Sequence, residues 1–183
     1  MKTEIRAFTH LAPVPAVLVS CGDGKVSDIV TIAWTGTINS DPPMLSISVR
    51  RTRYSYEIIS KTGEFVVNLV SQDLLKVLDG CGVVSGRDTD KFEKFSLTRE
   101  KCAHVAAPAI AESPVSIECV VRQKVELESH VMFLAEIVGA SARADWAEGG
   151  KLHIPDGELI AYVQNRYVKT GETVGTYGFT AKK

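Results

Sequence analysis

The sequence predicts a mainly β protein, an antiparallel barrel with short connecting helices. Its apolar segments are short, rich in β-branched residues and bounded by glycine, proline or polar turn residues, which is typical of strands. They do not alternate regularly with long helices, as the strands of a doubly wound parallel sheet would. No repeat, low-complexity tract or Pro/Gly/Ser-rich linker divides the chain, so we expect a single domain over residues 1–183.

Seven segments carry the strand pattern. They cover residues 15–21, 27–37, 44–49, 64–70, 115–122, 131–138 and 159–163. We expect residues 21–24 to form a hairpin turn between the first two strands, because glycine and aspartate tolerate positive φ. The fifth strand alternates most clearly, with apolar side chains at every second position from Val115 to Val121. It is expected to pair with the sixth strand across the polar residues 126–130.

Short helices are predicted as connections between these strands. They cover residues 56–62, residues 73–79 and, as a single turn, residues 88–95. Ser55 is a candidate N-cap for the first helix, and Gly63 is a candidate left-handed residue at its end. The second helix is expected to end near Gly80 and Gly82.

Composition and charge exclude several classes of protein. The formal charge is −1, from 21 Lys+Arg against 22 Asp+Glu, so the large positive excess that drives non-specific nucleic-acid binding is missing. No segment approaches the roughly 18–20 uninterrupted apolar residues of a membrane span. The N-terminus is charged and is not followed by an apolar secretory core, so we expect a cytoplasmic protein.

The common motifs for metals and for nucleotides are missing from the sequence. The four cysteines form no Cys-x-x-Cys pair and the four histidines no His-Glu-x-x-His, so we expect no metal site and reduced, mostly buried thiols. No Gly-x-Gly-x-x-Gly follows a strand, and no phosphate loop ends in Gly-Lys-Ser/Thr. A phosphorylated cofactor would therefore have to bind through residues outside these two motifs.

The most informative stretch begins at Thr31. Residues 31–44 read Thr-Ile-Ala-Trp-Thr-Gly-Thr-Ile-Asn-Ser-Asp-Pro-Pro-Met and are dense in hydroxyl groups around one large aromatic residue. Such a strand edge offers backbone groups to a flat heterocycle and hydroxyls to a sugar-like chain. A polar loop with Trp34 anchoring the core is the alternative interpretation.

An arginine-rich turn follows directly. Residues 50–55 read Arg-Arg-Thr-Arg-Tyr-Ser and precede a predicted helix, so guanidinium groups and free N–H groups at the helix start together form a candidate phosphate site. A solvated basic turn is the alternative. Lys91 is a further candidate for contact with the phosphate or the bound heterocycle, and an ion pair with Asp88 or Asp90 is its alternative.

With these residues, the chain resembles the flavin reductase-like family, the FMN-binding split-barrel proteins, and within it the branch that contains flavoredoxin. The resemblance runs through most of the chain and rests on the order of several motifs. Besides residues 31–44 and 50–55, these are Pro-x-Pro at 13–15, Thr-Gly-Glu-Phe-Val-Val-Asn at 62–68, Asp-Lys-Phe at 90–92, Ala-Pro-Ala-Ile-Ala-Glu-Ser-Pro at 107–114 and Ile-Glu-Cys at 117–119.

The resemblance implies a Greek-key, antiparallel split β-barrel that forms a homodimer and holds non-covalent FMN near the subunit interface. The ring and ribityl chain are then expected along Ala33, Trp34, Thr35 and Thr37. The phosphate is expected among Ser48, Val49, Arg51 and Ser55, with Lys91 contributed by a crossing loop. Relatives often carry threonine where this chain has Ser55, which keeps the hydroxyl.

The resemblance also implies an oxidoreductase in which NADH or NADPH reduces the bound FMN, which passes electrons to a flavin, ferric or other acceptor. Because this chemistry belongs to the cofactor, no general acid or base is predicted. Two alternatives stay open. One is a flavoredoxin-like carrier that exchanges electrons with a redox protein and has no significant NAD(P)H turnover. The other is a flavin-free barrel that serves as a binding or scaffold protein.

Overall fold

A computed structural model describes residues 1–181; residues 182 and 183, the last two of the predicted domain, lie outside the described residues. Strands hold 41% of the chain and helices 17%, which confirms the mainly β prediction. No helix within residues 1–181 has the length and apolar character needed to cross a membrane.

The strands are short except for two in the middle of the chain. They are β1 (Val14–Pro15), β2 (Val17–Gly22), β3 (Ser27–Ile32), β4 (Thr35–Ser40), β5 (Pro43–Val49), β6 (Glu64–Leu69), β7 (Arg99–Glu100), β8 (Ala109–Ile110), β9 (Val115–Glu126), β10 (Val131–Ala142), β11 (Ala147–Glu148), β12 (Lys151–Leu152), β13 (Ile160–Val163) and β14 (Arg166–Lys169). The α-helices are α1 (Tyr54–Thr62), α2 (Leu75–Val83) and α3 (Lys91–Lys94), and the remaining helical residues form 3-10 turns at Gln72–Leu74, Ala144–Trp146 and Phe179–Ala181.

Seven strands form the main sheet, in the order β3-β2-β6-β9-β10-β5-β4, and every neighbouring pair is antiparallel. The two edge strands, β3 and β4, follow each other in the chain and are separated only by Ala33 and Trp34. Since two residues span less than about 10 Å, the sheet must curl until its edges approach each other. It does not close into a hydrogen-bonded ring, so the architecture is the predicted split barrel.

The prediction of one strand over residues 27–37 is wrong at its centre. The chain leaves β3, which pairs with β2, bends at Ala33–Trp34 and continues as β4, which pairs with β5 on the opposite edge. The Trp34 carbonyl accepts a hydrogen bond from the Ser48 N–H at 3.0 Å, which fixes the bend against β5. Neither residue of the bend is a glycine or proline, so the local sequence does not mark it.

The predicted pairing of the two longest strands is confirmed. β9 and β10 run antiparallel from Val131 opposite Glu126 to Ala142 opposite Val115, with two register shifts between. Glu118 on β9 is buried because residues 103–105 cover it. Its carboxylate accepts hydrogen bonds from the three backbone N–H groups of that segment, the shortest from His104 at 2.6 Å.

Helix α1 begins one residue earlier than its predicted cap. Arg53 is the N-cap, and no side chain caps the helix, because arginine has no acceptor atom. Ser55 lies inside the first turn, and its hydroxyl donates to the buried carboxylate of Asp28. The predicted end of the helix is confirmed. Gly63 has a φ of 71°, and its N–H donates to the Ile59 carbonyl at 2.9 Å.

Helix α2 runs past the predicted last residue, 79, and ends at Val83, next to Gly82. Both glycines lie inside the helix, where they allow close packing. A Cβ at Gly80 would lie 2.5 Å from the Phe95 ring, and a Cβ at Gly82 would lie 3.4 Å from Thr31 of β3. These contacts hold α2 against the sheet and against the residue that follows α3.

A buried amide links three strands of the main sheet, β2, β6 and β9, to the short strand β8. The Asn68 side-chain NH₂ of β6 donates to the Leu18 carbonyl at 3.1 Å and to Ser20 Oγ at 2.9 Å. Its Oδ1 accepts from the Ile110 N–H at 3.0 Å and from Ser116 Oγ at 2.9 Å. Replacing this side chain would leave several buried polar groups without partners.

We therefore expect Asn68→Ala to lower the free energy of unfolding by about 3 kcal/mol. Asn39→Ala is the matched control, because the exposed Asn39 amide donates only to the Pro42 carbonyl at 2.8 Å, and its loss should stay below about 1 kcal/mol. Urea unfolding followed by circular dichroism measures both. Equal losses in the two variants would contradict the bridging role of Asn68.

Candidate functional site

Two cavities meet at the turn between β5 and α1. The first, which we call the aromatic cavity, has a volume of about 270 Å³ and is walled by the rings of Trp34, His130, Tyr162 and Tyr167. The second, the basic cavity, has a volume of about 200 Å³ and lies beside the start of α1. Arg50 and Arg53 line both cavities, so the two form one elongated site.

The strand break creates the wall of the aromatic cavity. Because Trp34 lies outside both β3 and β4, its indole is free to pack against His130, with ring centroids 4.4 Å apart and ring planes tilted by 43°. His130 lies at the end of the hairpin between β9 and β10, and the Trp34 side chain stays 43% exposed at the mouth. Burial and then the nearby Arg50 lower the pKa of His130, so the ring is neutral at pH 7.

Two tyrosines that pair across β13 and β14 also line this cavity. The rings of Tyr162 and Tyr167 lie 5.8 Å apart and are tilted by 59°. The Tyr167 hydroxyl donates to Asp79 at 3.2 Å, and burial together with this carboxylate raises the pKa of Tyr167 to about 12. Four aromatic side chains therefore line the cavity, which suits a planar ring.

The basic cavity is lined by several charged side chains. Its lining includes three cationic side chains, Arg50, Arg53 and Lys91, and one carboxylate, Asp28. The uncapped start of α1 adds backbone N–H groups that have no intrahelical partner, at the positive end of the helix dipole. This donor set suits a phosphate group.

Lys91 has a different partner from those considered in the sequence. Its ammonium lies 3.1 Å from the Asp28 carboxylate, and the two side chains are 3% and 1% exposed. The ammonium also donates to the carbonyls of Ile29 and Cys81. Asp90 instead caps α3 by accepting from the Phe92 and Glu93 N–H groups, so the expected alternative of an ion pair with Asp88 or Asp90 is wrong.

The structure brings together six of the nine predicted site residues. Ala33, Trp34, Ser48 and Val49 line the aromatic cavity, and Ser55 and Lys91 line the basic cavity.

Three predicted residues lie outside both cavities. Thr35 and Thr37 lie on the edge strand β4. Arg51 points to the β9–β10 hairpin, where its guanidinium pairs with Glu126 and donates to the Leu127 carbonyl at 3.0 Å.

Four further charged or aromatic residues line the site and were not singled out in the sequence. They are Asp28, His130, Tyr162 and Tyr167. Arg50 and Arg53 line it too, and both belong to the arginine-rich turn that the sequence offered as a phosphate site. Asp28 had a sequence signal, since the one charged side chain of a mostly buried strand must find a partner. The two tyrosines and His130 come from distant segments, and no sequence pattern marks them as site residues.

A larger cleft of about 920 Å³ lies beyond Tyr54 and Gly86 and contains none of the nine predicted residues. Two of its arginines are already neutralised. Arg87 pairs with Glu57 at 2.6 Å, and Arg99 pairs with Asp90. We therefore locate the candidate site in the two smaller cavities, where Arg50 and Arg53 have no carboxylate partner within the described chain.

The cysteines are unsuited to thiolate chemistry. Cys21, Cys81 and Cys119 are buried, as predicted, and Cys102 is half-buried. Burial raises the pKa of Cys81 and of Cys119 to about 12, and that of Cys102 to about 11. Within residues 1–181, no three His, Cys, Asp or Glu side chains are grouped to hold a metal ion.

Comparisons with known proteins identify the family of the chain. A family model described as flavin reductase like domain matches residues 9–171. A protein of Archaeoglobus fulgidus is 32% identical over 139 residues, which are 75% of this chain and 78% of that protein.

Two further relatives have informative names. The structure of flavoredoxin from Desulfovibrio vulgaris (Miyazaki F) is similar over 100% of both chains, with a TM-score of 0.90 and 28% identity. An NADH-dependent FMN reductase of Streptomyces nodosus subsp. asukaensis is 24% identical over 139 residues, 74% of this chain and 72% of that enzyme.

Proposed function

The chain belongs to the flavin reductase-like family, and from this premise we propose that it is an FMN-binding oxidoreductase that takes electrons from NADH or NADPH. The observation that carries the proposal is the junction of an aromatic cavity with a basic cavity at Arg50 and Arg53. A flavin mononucleotide has the matching chemistry, since a planar ring system is joined by a short polar chain to a phosphate.

Each cavity has a distinct task in this proposal. Arg50, Arg53 and the first N–H groups of α1 bind the phosphate, because guanidinium groups and helix starts both donate to its oxygens. Trp34, His130 and the two tyrosines enclose the flavin ring and limit the access of water. Ser48 and the backbone at Ala33 contribute polar groups beside the ring.

The protein itself supplies binding and orientation. When bound, FMN supplies the capacity to accept a hydride and to pass electrons on. We assign no general acid or base, because hydride and electron transfer are chemistry of the flavin itself. The Tyr167 hydroxyl is bound to Asp79 and serves to hold the cavity wall.

A carrier of electrons between proteins is the second candidate. The similarity to a flavoredoxin over the whole length of both chains favours it, whereas the relative named as an NADH-dependent FMN reductase favours the enzyme. In the carrier, a redox protein replaces the nicotinamide nucleotide as the donor. The same FMN site serves both functions.

We also propose that the chain forms a homodimer. Exposed apolar side chains on the edge strand and on both terminal segments support this proposal, because water disfavours their exposure in a monomer. They include Ile38 on β4, Phe8 before β1, and Tyr177 and Phe179 after β14. Sedimentation equilibrium should give twice the chain mass of 19.9 kDa, and a mass equal to one chain at micromolar concentration would contradict the dimer.

The phosphate assignment predicts a difference between two neighbouring arginines. Arg53→Ala should weaken FMN binding by roughly 10- to 100-fold and riboflavin binding by less than about 3-fold, because a lost charge-assisted bond costs about 1.5–3 kcal/mol. Arg51→Ala is the matched control, since its guanidinium is held by Glu126 and the hairpin. Flavin fluorescence titration measures all four affinities. The reverse pattern would support Arg51, the arginine implied by the resemblance.

The choice between enzyme and carrier depends on the electron donor. We expect the purified protein to be yellow and its flavin absorbance near 450 nm to bleach on addition of NADH or NADPH under anaerobic conditions, with repeated turnovers once an acceptor is present. Reduction by a redox protein but by neither nucleotide would support the carrier. A colourless protein that cannot be reconstituted with FMN would contradict both and favour the flavin-free barrel.

A further inference from the structure

An unusual carboxylate lies at the base of the basic cavity. Asp28 is the only charged residue of β3, and it is 2% exposed. Burial of an unpaired carboxylate is strongly unfavourable, so its retention requires partners that compensate for the lost hydration. Those partners are the site residues Lys91 and Ser55.

The geometry makes Asp28 the common anchor of both groups. One carboxylate oxygen lies 3.1 Å from the Lys91 ammonium, and the other accepts the Ser55 hydroxyl hydrogen. Lys91 is at the start of α3 and Ser55 is in the first turn of α1. A single side chain of β3 therefore fixes two polar groups that come from different helices and that both line the basic cavity.

Fixing these groups before the ligand arrives has a direct effect on affinity. A lysine side chain loses much rotamer freedom when it is ordered, and a site that orders it in advance avoids that loss on binding. Asp28 also lowers the net charge of the cavity lining from +3 to +2, as three cations and one carboxylate line it. A charge of +2 matches a phosphate monoester dianion.

We propose that Asp28 is a positioning residue of the phosphate site, whose buried carboxylate holds the Lys91 ammonium and the Ser55 hydroxyl at the cavity wall and thereby strengthens the binding of the FMN phosphate. This inference rests on the proposed function. It adds a residue that the family resemblance did not identify and gives Ser55 a different role, since its hydroxyl proton is committed to Asp28 in this structure.

A glycine packed on the carboxylate offers a second way to disturb it. A Cβ at Gly86 would lie 2.1 Å from Asp28 Oδ1 and 2.5 Å from its Cγ. No other atoms are among its three nearest contacts. Gly86→Ala therefore displaces the Asp28 carboxylate while every charged residue of the site is kept.

The test compares FMN with riboflavin, which lacks the phosphate. We expect Asp28→Asn to raise the Kd for FMN at least 10-fold and to change that for riboflavin less than 2-fold. Asp88→Asn is the matched control, because it removes an exposed carboxylate from the loop that precedes α3, and both affinities should stay within 2-fold. Parallel weakening of both flavins, unchanged FMN binding or tighter FMN binding would each overturn the positioning role.

Gly86→Ala keeps the inference testable if Asp28→Asn fails to fold, since an unpaired buried Lys91 is destabilising. It should show the same selective loss of FMN affinity, and unchanged FMN binding in a folded Gly86→Ala protein would overturn the inference. The wild-type protein separates this result from the proposed function. If it binds FMN no better than riboflavin, the phosphate site itself is refuted and the role of Asp28 with it.

Discussion

The ion pair between Asp28 and Lys91 is the constraint on which the rest of the site depends. Both side chains are almost completely buried, so each would cost several kcal/mol without the other. Because Asp28 belongs to β3 and Lys91 to α3, the pair fixes the loop before α3 against the sheet. The bond from Ser55 adds the start of α1 to the same point. The shape of the basic cavity is a result of this three-way junction.

The aromatic cavity depends instead on a topological feature. The chain must pass from one edge of the main sheet to the other within two residues, and those residues cannot pair with either edge in a regular way. Trp34 consequently belongs to neither strand, and its indole packs against the His130 ring. The arginine-rich turn starts directly after β5, which pairs with β4 just beyond the bend. Ring and phosphate sites are thus adjacent because of how the barrel is split.

Local sequence was sufficient for those features that depend on neighbouring residues. The alternation from Val115 to Val121 and the glycine at the end of α1 predicted their elements correctly. Other features depend on partners far along the chain. Nothing near Arg51 indicates that Glu126, 75 positions later, would bind its guanidinium, and so the sequence could not show which arginine of the turn faces the cavity. The bend at Trp34 is likewise set by the sheet order and not by its own residue types.

The close approach of Gly80 to the Phe95 ring has a consequence for sequence variation in relatives of this chain. The ring occupies the volume that any side chain at position 80 would need. A larger residue at 80 therefore requires the half-buried Phe95 ring to move aside or to be replaced by a smaller side chain. We expect the two positions to vary together among homologues, so that a larger side chain at position 80 accompanies a smaller one at position 95.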